Sequence, residues 1–201
     1  MNTSIGLSKP YYAKYSAGNG TPAYSDLTSM GMATEFSLAV DGKDPAILYA
    51  DNGAAESVAT FGGGTATLGV HKLTPETLTD LLGQAYATAT GAVFKADINA
   101  PYVGIGVISM DISDGVISYT AIALYKVQCK TPDINRVTKG ESIEYQVPSL
   151  EFAVMRDDSA DAKWMWMQNY ATEAAALAAL SAQLGGTTTT EQTTTEQTGN
   201  G

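Results

Sequence analysis

Two runs of alternating residues, separated by a two-residue turn signal, constrain the fold of this chain most. Residues 102–112 and 116–128 are rich in β-branched and aromatic side chains, which is typical of strands. Asp114 and Gly115 lie between them and favour the positive φ angles of a tight turn. The pattern predicts a β-hairpin, in which Gly104 and Gly106 occupy a face that another surface can approach closely.

The same period-two alternation predicts further strands. Phe36, Leu38 and Val40 share one face of a strand that ends at the turn signal of Asp41 and Gly42. Other strands are predicted over residues 57–71, with a bulge or bend at the glycines 62–64, and over residues 91–98, 143–147 and 150–154. In residues 164–167, tryptophan and methionine alternate, so both faces of a strand there would carry large apolar side chains; this indicates burial on both sides.

Two helices have boundary signals. Thr74 suits the N-cap of the first helix, Pro75 its first position and Gly83 its C-terminal end. The predicted apolar stripes are Leu78, Leu81 and Leu82 in the first helix, and Leu177, Leu180 and Leu184 in a second helix over residues 172–184. The expected fold class is mainly β with two helices (α+β), as a β-sandwich or barrel-like sheet.

The chain is predicted to contain one folded domain with an extension at each end. Residues 1–30 are rich in Tyr, Ser, Gly and Pro, and we expect an extended arm or a loose hairpin there. Residues 31–184 form the β-domain, and residues 185–201 have the low-complexity Thr/Gln/Glu composition of a solvated tail. Residues 43–56 are a polar connector between two strands, and loops of that length usually serve a function.

Charge and cysteine content argue against several protein classes. The net charge of −10 repels a phosphate backbone, so a conventional DNA-binding protein is not expected. No run approaches the ~18 consecutive apolar residues of a membrane span, and residues 1–6 lack the features of a secretory signal. Cys129 is the single cysteine, so the fold depends on no internal disulfide. We therefore expect the chain to fold in a cytoplasm.

Features that resemble catalytic or ligand sites favour structural interpretations. His71 has no neighbouring nucleophile or orienting carboxylate, and Cys129 has no histidine near it in sequence. The glycines at 62–64 precede a strand, whereas phosphate-binding loops precede a helix. The loop carboxylates Asp157, Asp158 and Asp161 miss the spacing of an EF-hand and indicate a solvated loop. We expect no enzyme, no metal site and no cofactor.

Six short segments share their order and spacing with one protein family. They are IGLSKPYYAKY at 5–15, ATEFSL at 33–38, LYADNG at 48–53 with ES at 56–57, NAPYVG at 99–104, GESIEYQ at 140–146 and MRDD at 155–158. Together they resemble the major tail tube proteins of long non-contractile-tailed phages and prophages of Gram-positive bacteria. The resemblance covers roughly residues 5–184, nearly all of the chain outside the low-complexity tail.

The resemblance implies a structural protein with a β-sandwich or barrel core flanked by a helix. Such subunits form hexameric rings that stack around a tape measure protein, and tail terminator and tail tip proteins are further partners. The resulting tube lies in the virion tail, is assembled in the host cytoplasm and carries DNA only as passing cargo. The family offers no catalytic residue, and the immunoglobulin-like decoration of many relatives is replaced here by the short tail.

The arm and the connector are the segments predicted to reach an adjacent subunit. The arm contains a row of four tyrosines, Tyr11, Tyr12, Tyr15 and Tyr24. Tyrosines on an arm without interleaved arginines more often fill pockets on a protein partner than stack on nucleic-acid bases. The residues predicted to make inter-subunit contacts are Tyr11, Tyr12, Tyr15, Leu48, Tyr49, Asp51 and Asn52.

Two alternatives stay open at this point. A tube subunit of a contractile injection or secretion machine shares the fold and the assembly but carries another cargo. A cell-surface carbohydrate-binding or adhesion sandwich belongs to a different class, and it binds glycans as a monomer.

Overall fold

The computed structural model describes residues 3–18, 21–25, 27–42, 46–50, 53–58, 61–97, 99–132 and 147–185, with the strands between 46 and 58 described by their backbone alone. Over these residues the chain is mainly β with two helices, as the sequence predicted. The strands form one large antiparallel sheet and two small two-stranded sheets.

The elements occur in the following order along the chain. They are β1 (Thr3–Leu7), β2 (Tyr11–Gly18), β3 (Thr21–Tyr24), β4 (Thr28–Ser29), β5 (Ala33–Gly42), β6 (Ala46–Ala50), β7 (Gly53–Val58), β8 (Phe61–Val70), α1 (Pro75–Leu82), β9 (Ala85–Ala87), β10 (Gly91–Val93), β11 (Tyr102–Ser113), β12 (Val116–Cys129), β13 (Ser149–Met155), β14 (Met165–Tyr170) and α2 (Glu173–Gln183).

The β11–β12 hairpin is the centre of the large sheet. It pairs from Tyr102 opposite Gln128 to Ser113 opposite Val116. Strands β2 and β1 pair one after the other with the outer edge of β11, and β13 and β14 do the same along β12. The sheet continues from β13 through β8 to β5, and β5 also contacts β1. The sheet therefore curves back towards its own edge.

The two faces of the curved sheet carry separate hydrophobic clusters. The larger cluster lies inside the curve and includes Phe152, Leu68 and Ile105 of the sheet together with Leu81 and Leu82 of α1. The smaller cluster lies on the opposite face, where Leu180 and Leu184 at the C-terminal end of α2 pack with Ala13, Ile108, Ala121 and Ala123. Each helix thus covers a different part of the sheet.

The boundary signals of α1 are confirmed. The Thr74 hydroxyl accepts a hydrogen bond from the Thr77 backbone N–H at 3.2 Å, which satisfies one of the unpaired donors of the first turn. Gly83 ends the helix in the left-handed region with φ of 68°. At α2 the Thr172 hydroxyl accepts from the Ala175 N–H in the same way, at 3.3 Å.

The two predicted backbone irregularities are also confirmed. Asp114 and Gly115 have φ angles of 51° and 80°, as a two-residue hairpin turn requires. Gly63 has φ of 124°, and the β5–β8 register shifts between Val40 and Gly42, directly opposite this glycine run.

Residues 1–30 were expected to form an extended arm or a loose hairpin, and the described residues form paired strands, including a hairpin, instead of a free arm. Strands β1, β2 and β4 pair into the large sheet, and β2 and β3 form a hairpin. Tyr12, Ala13, Leu27 and Met30 are buried. The glycines and prolines in this segment separate short strands, and these strands pair with strands of the β-domain.

Other local expectations are corrected as well. The connector at 43–56 contains the β6–β7 hairpin, and the strand expected over 91–98 is only β10, paired with the unpredicted β9. Met167 is exposed, so residues 164–167 are not buried on both sides. Most of the strand expected over 143–147, and the tail from residue 186, lie outside the described residues.

Candidate assembly surface

The β6–β7 hairpin lies between β5 and β8 along the chain and forms a separate two-stranded sheet. Its strands pair from Ala46 opposite Val58 to Ala50 opposite Gly53, with an irregularity between Leu48 and Tyr49. Within the described part of the chain, neither strand pairs with the large sheet. Two of the predicted contact residues, Leu48 and Tyr49, lie on β6.

The other two connector residues are not placed by the structure. Asp51 and Asn52 lie between β6 and β7, outside the described residues. Their predicted role in an inter-subunit contact stays a prediction.

Tyr12 points into the core of its own chain. It is 3% exposed, and its hydroxyl donates a hydrogen bond to Asp80 Oδ2 of α1 at 3.0 Å. Burial, followed by the negative charge of Asp80, raises the pKa of the Tyr12 hydroxyl above its usual value. Within its own chain, Tyr12 therefore faces the core side of β2, and the predicted contact with a neighbouring subunit stays a prediction.

Tyr11 lies on the opposite face of β2 from Tyr12. It packs at the border of the cluster under α2, half-buried. Burial and then the negative charge of Glu173 raise the pKa of the Tyr11 hydroxyl.

Tyr15 is held by contacts within its own chain. Its hydroxyl donates to Asp158 Oδ2 at 2.7 Å and accepts from the Asp158 backbone N–H at 3.1 Å. Its ring meets the rings of Tyr24 and Tyr102 edge-on, at 5.5 and 6.4 Å between centroids. Burial, followed by the hydrogen bond to Asp158, raises the pKa of Tyr15 to about 12.

Lys126 is the centre of this aromatic cluster, and sequence analysis missed it. Its Nζ donates to both carboxylate oxygens of Asp158, at 2.9 and 2.7 Å. It also lies 4.5 Å from the ring centroid of Tyr102 and 5.3 Å from that of Tyr15. The hydrogen bonds from Lys126, and then the one from Tyr15, hold the pKa of Asp158 below its usual value. A lone lysine in an apolar strand was the only sequence signal for this role.

Asp157 organises the loop after β13. Its Oδ1 accepts from the backbone N–H groups of Ser159 and Lys163 at 3.2 and 2.8 Å, and from the Ser159 hydroxyl at 2.6 Å. The carboxylate is buried, so the expectation of a fully solvated loop was wrong at this position. No group of three or more His, Cys, Asp or Glu side chains in the described ranges is placed to hold a metal ion.

Cys129 and His71 have no partner that would activate them for chemistry among the described residues. The Cys129 thiol is buried and donates to the Lys130 carbonyl at 3.3 Å. Burial raises its pKa to about 12, so it stays a neutral thiol at neutral pH. The His71 side chain is exposed at the end of β8, and its backbone N–H donates to the Met32 carbonyl.

Large apolar side chains are exposed at several places on the described surface. Three lie in or directly after the β9–β10 hairpin, with Tyr86 and Val93 on opposite faces of it, and three lie near the β11–β12 turn. The full set is Ile5, Met32, Val40, Tyr86, Val93, Phe94, Tyr102, Val116, Ile117, Val147 and Met167. Single exposed apolar residues are normal, but groups of them mark interaction surfaces.

Neither described helix is long and apolar enough to cross a membrane. A comparison of the chain with models of protein families finds no match, and a comparison with curated proteins finds none either.

Proposed function

We propose that this protein is the structural subunit of a phage tail tube. Copies of the chain form hexameric rings, and the rings stack into a hollow conduit for DNA ejection. The β6–β7 hairpin is the observation that carries the proposal, because it is a separate two-stranded sheet on a well-packed domain.

An isolated two-stranded hairpin is marginally stable in water. The backbones of residues 46–50 and 53–58 nevertheless form regular antiparallel pairs with an irregularity at a single step. Neither strand pairs with the large sheet in the described part of the chain, and in the proposed tube a neighbouring copy provides the surface on which the hairpin packs. The family resemblance at residues 48–53 and 56–57 falls on this same hairpin.

The charge of the chain supports a conduit. A net charge of −10 disfavours binding to the phosphate backbone. DNA can pass such a wall without being held, whereas a basic wall would retain it. The proposed partners are other copies of the chain, a tape measure protein, and tail terminator and tail tip proteins, and the proposed location is the virion tail.

Removing the hairpin provides the decisive experiment. Gly42 of β5 and Phe61 of β8 are register partners, so Asn-Gly in place of residues 43–60 closes these strands with a two-residue turn. We expect the unaltered protein to form hollow six-fold tubes at high concentration in negative-stain electron microscopy. The shortened variant should stay monomeric, because it lacks the surface that contacts the neighbouring copy.

The fold of the shortened variant is the control. The variant should keep a β-rich circular dichroism spectrum and an unfolding temperature close to that of the unaltered protein, since the hairpin pairs with no described strand of the large sheet. Tubes formed by the shortened variant would contradict the role of the hairpin. An unaltered protein that stays monomeric and binds glycans would contradict the tube itself.

A further inference from the structure

The loop between β13 and β14 contacts two strands that are distant from it in sequence. We call residues 156–163 of this loop the strap. Asp158 of the strap hydrogen-bonds to Tyr15 of β2, 143 residues away, and to Lys126 of β12, 32 residues away. Strands β2 and β12 are the two neighbours of β11 in the sheet. Asp158 therefore bridges two strands that do not pair with each other.

The strap keeps its own shape through Asp157. The Asp157 carboxylate is buried, and one of its oxygens accepts hydrogen bonds from the Ser159 N–H, the Ser159 hydroxyl and the Lys163 N–H. The Asp157 N–H donates to the Lys163 carbonyl at 2.6 Å. The Ala162 N–H donates to the Ser159 carbonyl at 3.0 Å. Because both partners of each bond belong to the strap, these bonds persist when the strap moves as one unit.

The contacts of Asp158 with the sheet are of a different kind. Its carboxylate accepts from Lys126 Nζ at 2.9 and 2.7 Å and from the Tyr15 hydroxyl at 2.7 Å, and its N–H donates to the Tyr15 oxygen at 3.1 Å. The Asp158 side chain is 40% exposed, so water and salt reach these contacts. Ion pairs that are open to solvent contribute little to stability and weaken further in salt.

Lys126 requires the counter-charge that the strap supplies. Its side chain is only 13% exposed, and its Nζ lies 4.5 and 5.3 Å from the ring centroids of Tyr102 and Tyr15. An ammonium group that is largely removed from water is costly unless it is paired. Asp158 provides the paired charge from the more exposed side. Without the ammonium group, the Asp158 carboxylate gains more from water than from this position.

Trp164 holds the strap at its C-terminal end. Its carbonyl accepts a hydrogen bond from the Tyr125 N–H at 3.2 Å, and its ring stacks on that of Phe61 with 4.6 Å between centroids. These contacts involve neither Asp158 nor Lys126. They keep the start of β14 in place independently of the ion pair.

Asp158 keeps its charge through the neutral pH range. The hydrogen bonds from Lys126, and then the one from Tyr15, hold the pKa of Asp158 below its usual value, and the charge of Arg156 acts in the same direction. The contacts of the carboxylate are therefore fully present above the usual pKa of an aspartate, and they are lost as the pH falls through the lowered pKa. At neutral pH, salt is the condition that weakens them.

We propose that the strap opens and closes on the sheet as one unit, with Asp158 as its latch and Trp164 as its pivot. The closed strap pairs the ammonium group of Lys126 and binds the Tyr15 hydroxyl, and the open strap leaves both to solvent. Local opening of this kind costs less free energy than unfolding of the whole domain. The motion belongs to the single chain and goes beyond the proposed assembly.

Amide hydrogen exchange, followed residue by residue by NMR, tests the strap. Lys126→Met removes the charge that Asp158 pairs with and leaves the sequence of the strap unaltered. We expect exchange of the Asp158 amide to become about tenfold faster at neutral pH, because the open strap is more populated. Exchange of the Ser159 and Lys163 amides should change by less than about twofold, since these amides donate to Asp157 within the strap.

Lys130→Met is the matched control. Lys130 also forms an ion pair, but its partner is Glu151 of β13, outside the strap, so this variant should leave exchange in the strap unchanged. In the unaltered chain, about 1 M salt should accelerate exchange of the Asp158 amide selectively, which tests the strap even if the Lys126→Met chain does not fold. Unchanged exchange at Asp158, or an equal acceleration at Asp158, Ser159 and Lys163, would overturn the proposal.

Discussion

Asp80 fastens helix α1 to strand β2 through two different side chains. It accepts a partly buried hydrogen bond from the Tyr12 hydroxyl and forms an ion pair with the exposed Lys14. The first interaction is shielded from water, whereas the second is open to solvent and to salt. At the scale of single residues, the hydroxyl therefore contributes more to stability than the ammonium group.

Replacing Tyr12 by Phe should lower the free energy of unfolding by about 1 kcal/mol, because Asp80 loses a partly buried hydrogen-bond donor. Urea unfolding followed by circular dichroism measures the change. Lys14→Ala is the matched control and should have the smaller effect. The reverse order would show that the ion pair is what holds α1.

Cys129 should make the protein less stable at alkaline pH. Its pKa is raised from 9.0 to about 12 by burial, so the folded state favours the neutral thiol. The contribution of this preference to the free energy of unfolding is fully present below pH 9. It is lost as the pH rises towards the pKa of the thiol in the folded state. Between pH 8 and about pH 10, the resulting fall in the free energy of unfolding should be roughly 1 kcal/mol.

The Cys129→Ala variant isolates this contribution. Urea unfolding at several pH values should show a shallower fall for the variant than for the unaltered chain. Several tyrosines, among them Tyr15 and Tyr24, also have raised pKa values and titrate at higher pH in both proteins. Equal slopes below pH 10 would exclude the thiol as a source of the pH dependence.

At the scale of elements, α2 packs closely on β11 because two residues of β11 that face it are glycines. A Cβ atom on Gly106 would lie 2.5 Å from Leu180 Cδ2, and one on Gly104 would lie 2.8 Å from Leu184 Cδ2. Both leucines are fully buried. The close approach that the sequence predicted at these glycines is therefore an approach by the chain's own second helix.

Gly106→Ala should destabilise the protein by about 1–3 kcal/mol, because the packed Leu180 side chain must shift to admit the methyl group. The control is Gly42→Ala at the exposed end of β5, where no atom of the described residues lies within 4 Å of the added Cβ. Thermal unfolding of both variants provides the comparison. A Gly106→Ala protein as stable as the control would mean that α2 can move away from the sheet.

The signals that predicted the elements were local. Thr74 with Gly83 and Asp114 with Gly115 act within a few residues, so the sequence revealed α1 and the central hairpin. The partners of β1 and β2 lie about a hundred residues away on β11, and no local pattern specifies them. For the same reason, Lys126 was missed, since its partner Asp158 is brought near it only by the fold.

For the molecule as a whole, the N-terminal strands are part of the core. Removing residues 1–15 takes away β1 and half of β2, and it exposes the edge of β11 along with the apolar surface that Tyr12 covers. We expect this deletion to abolish cooperative thermal unfolding, as measured by circular dichroism. Removing residues 186–201 is the control, since their composition offers little to a core.

The position of the β11–β12 hairpin has a consequence for the order of folding events. Its two strands are joined by two residues, whereas β1, β2, β13 and β14 must find it across longer separations. Local contacts form before distant ones, because closing a short loop costs less entropy. A substitution at Gly115, where φ is 80°, should therefore slow refolding and leave the unfolding rate nearly unchanged, as expected of a residue in the folding nucleus.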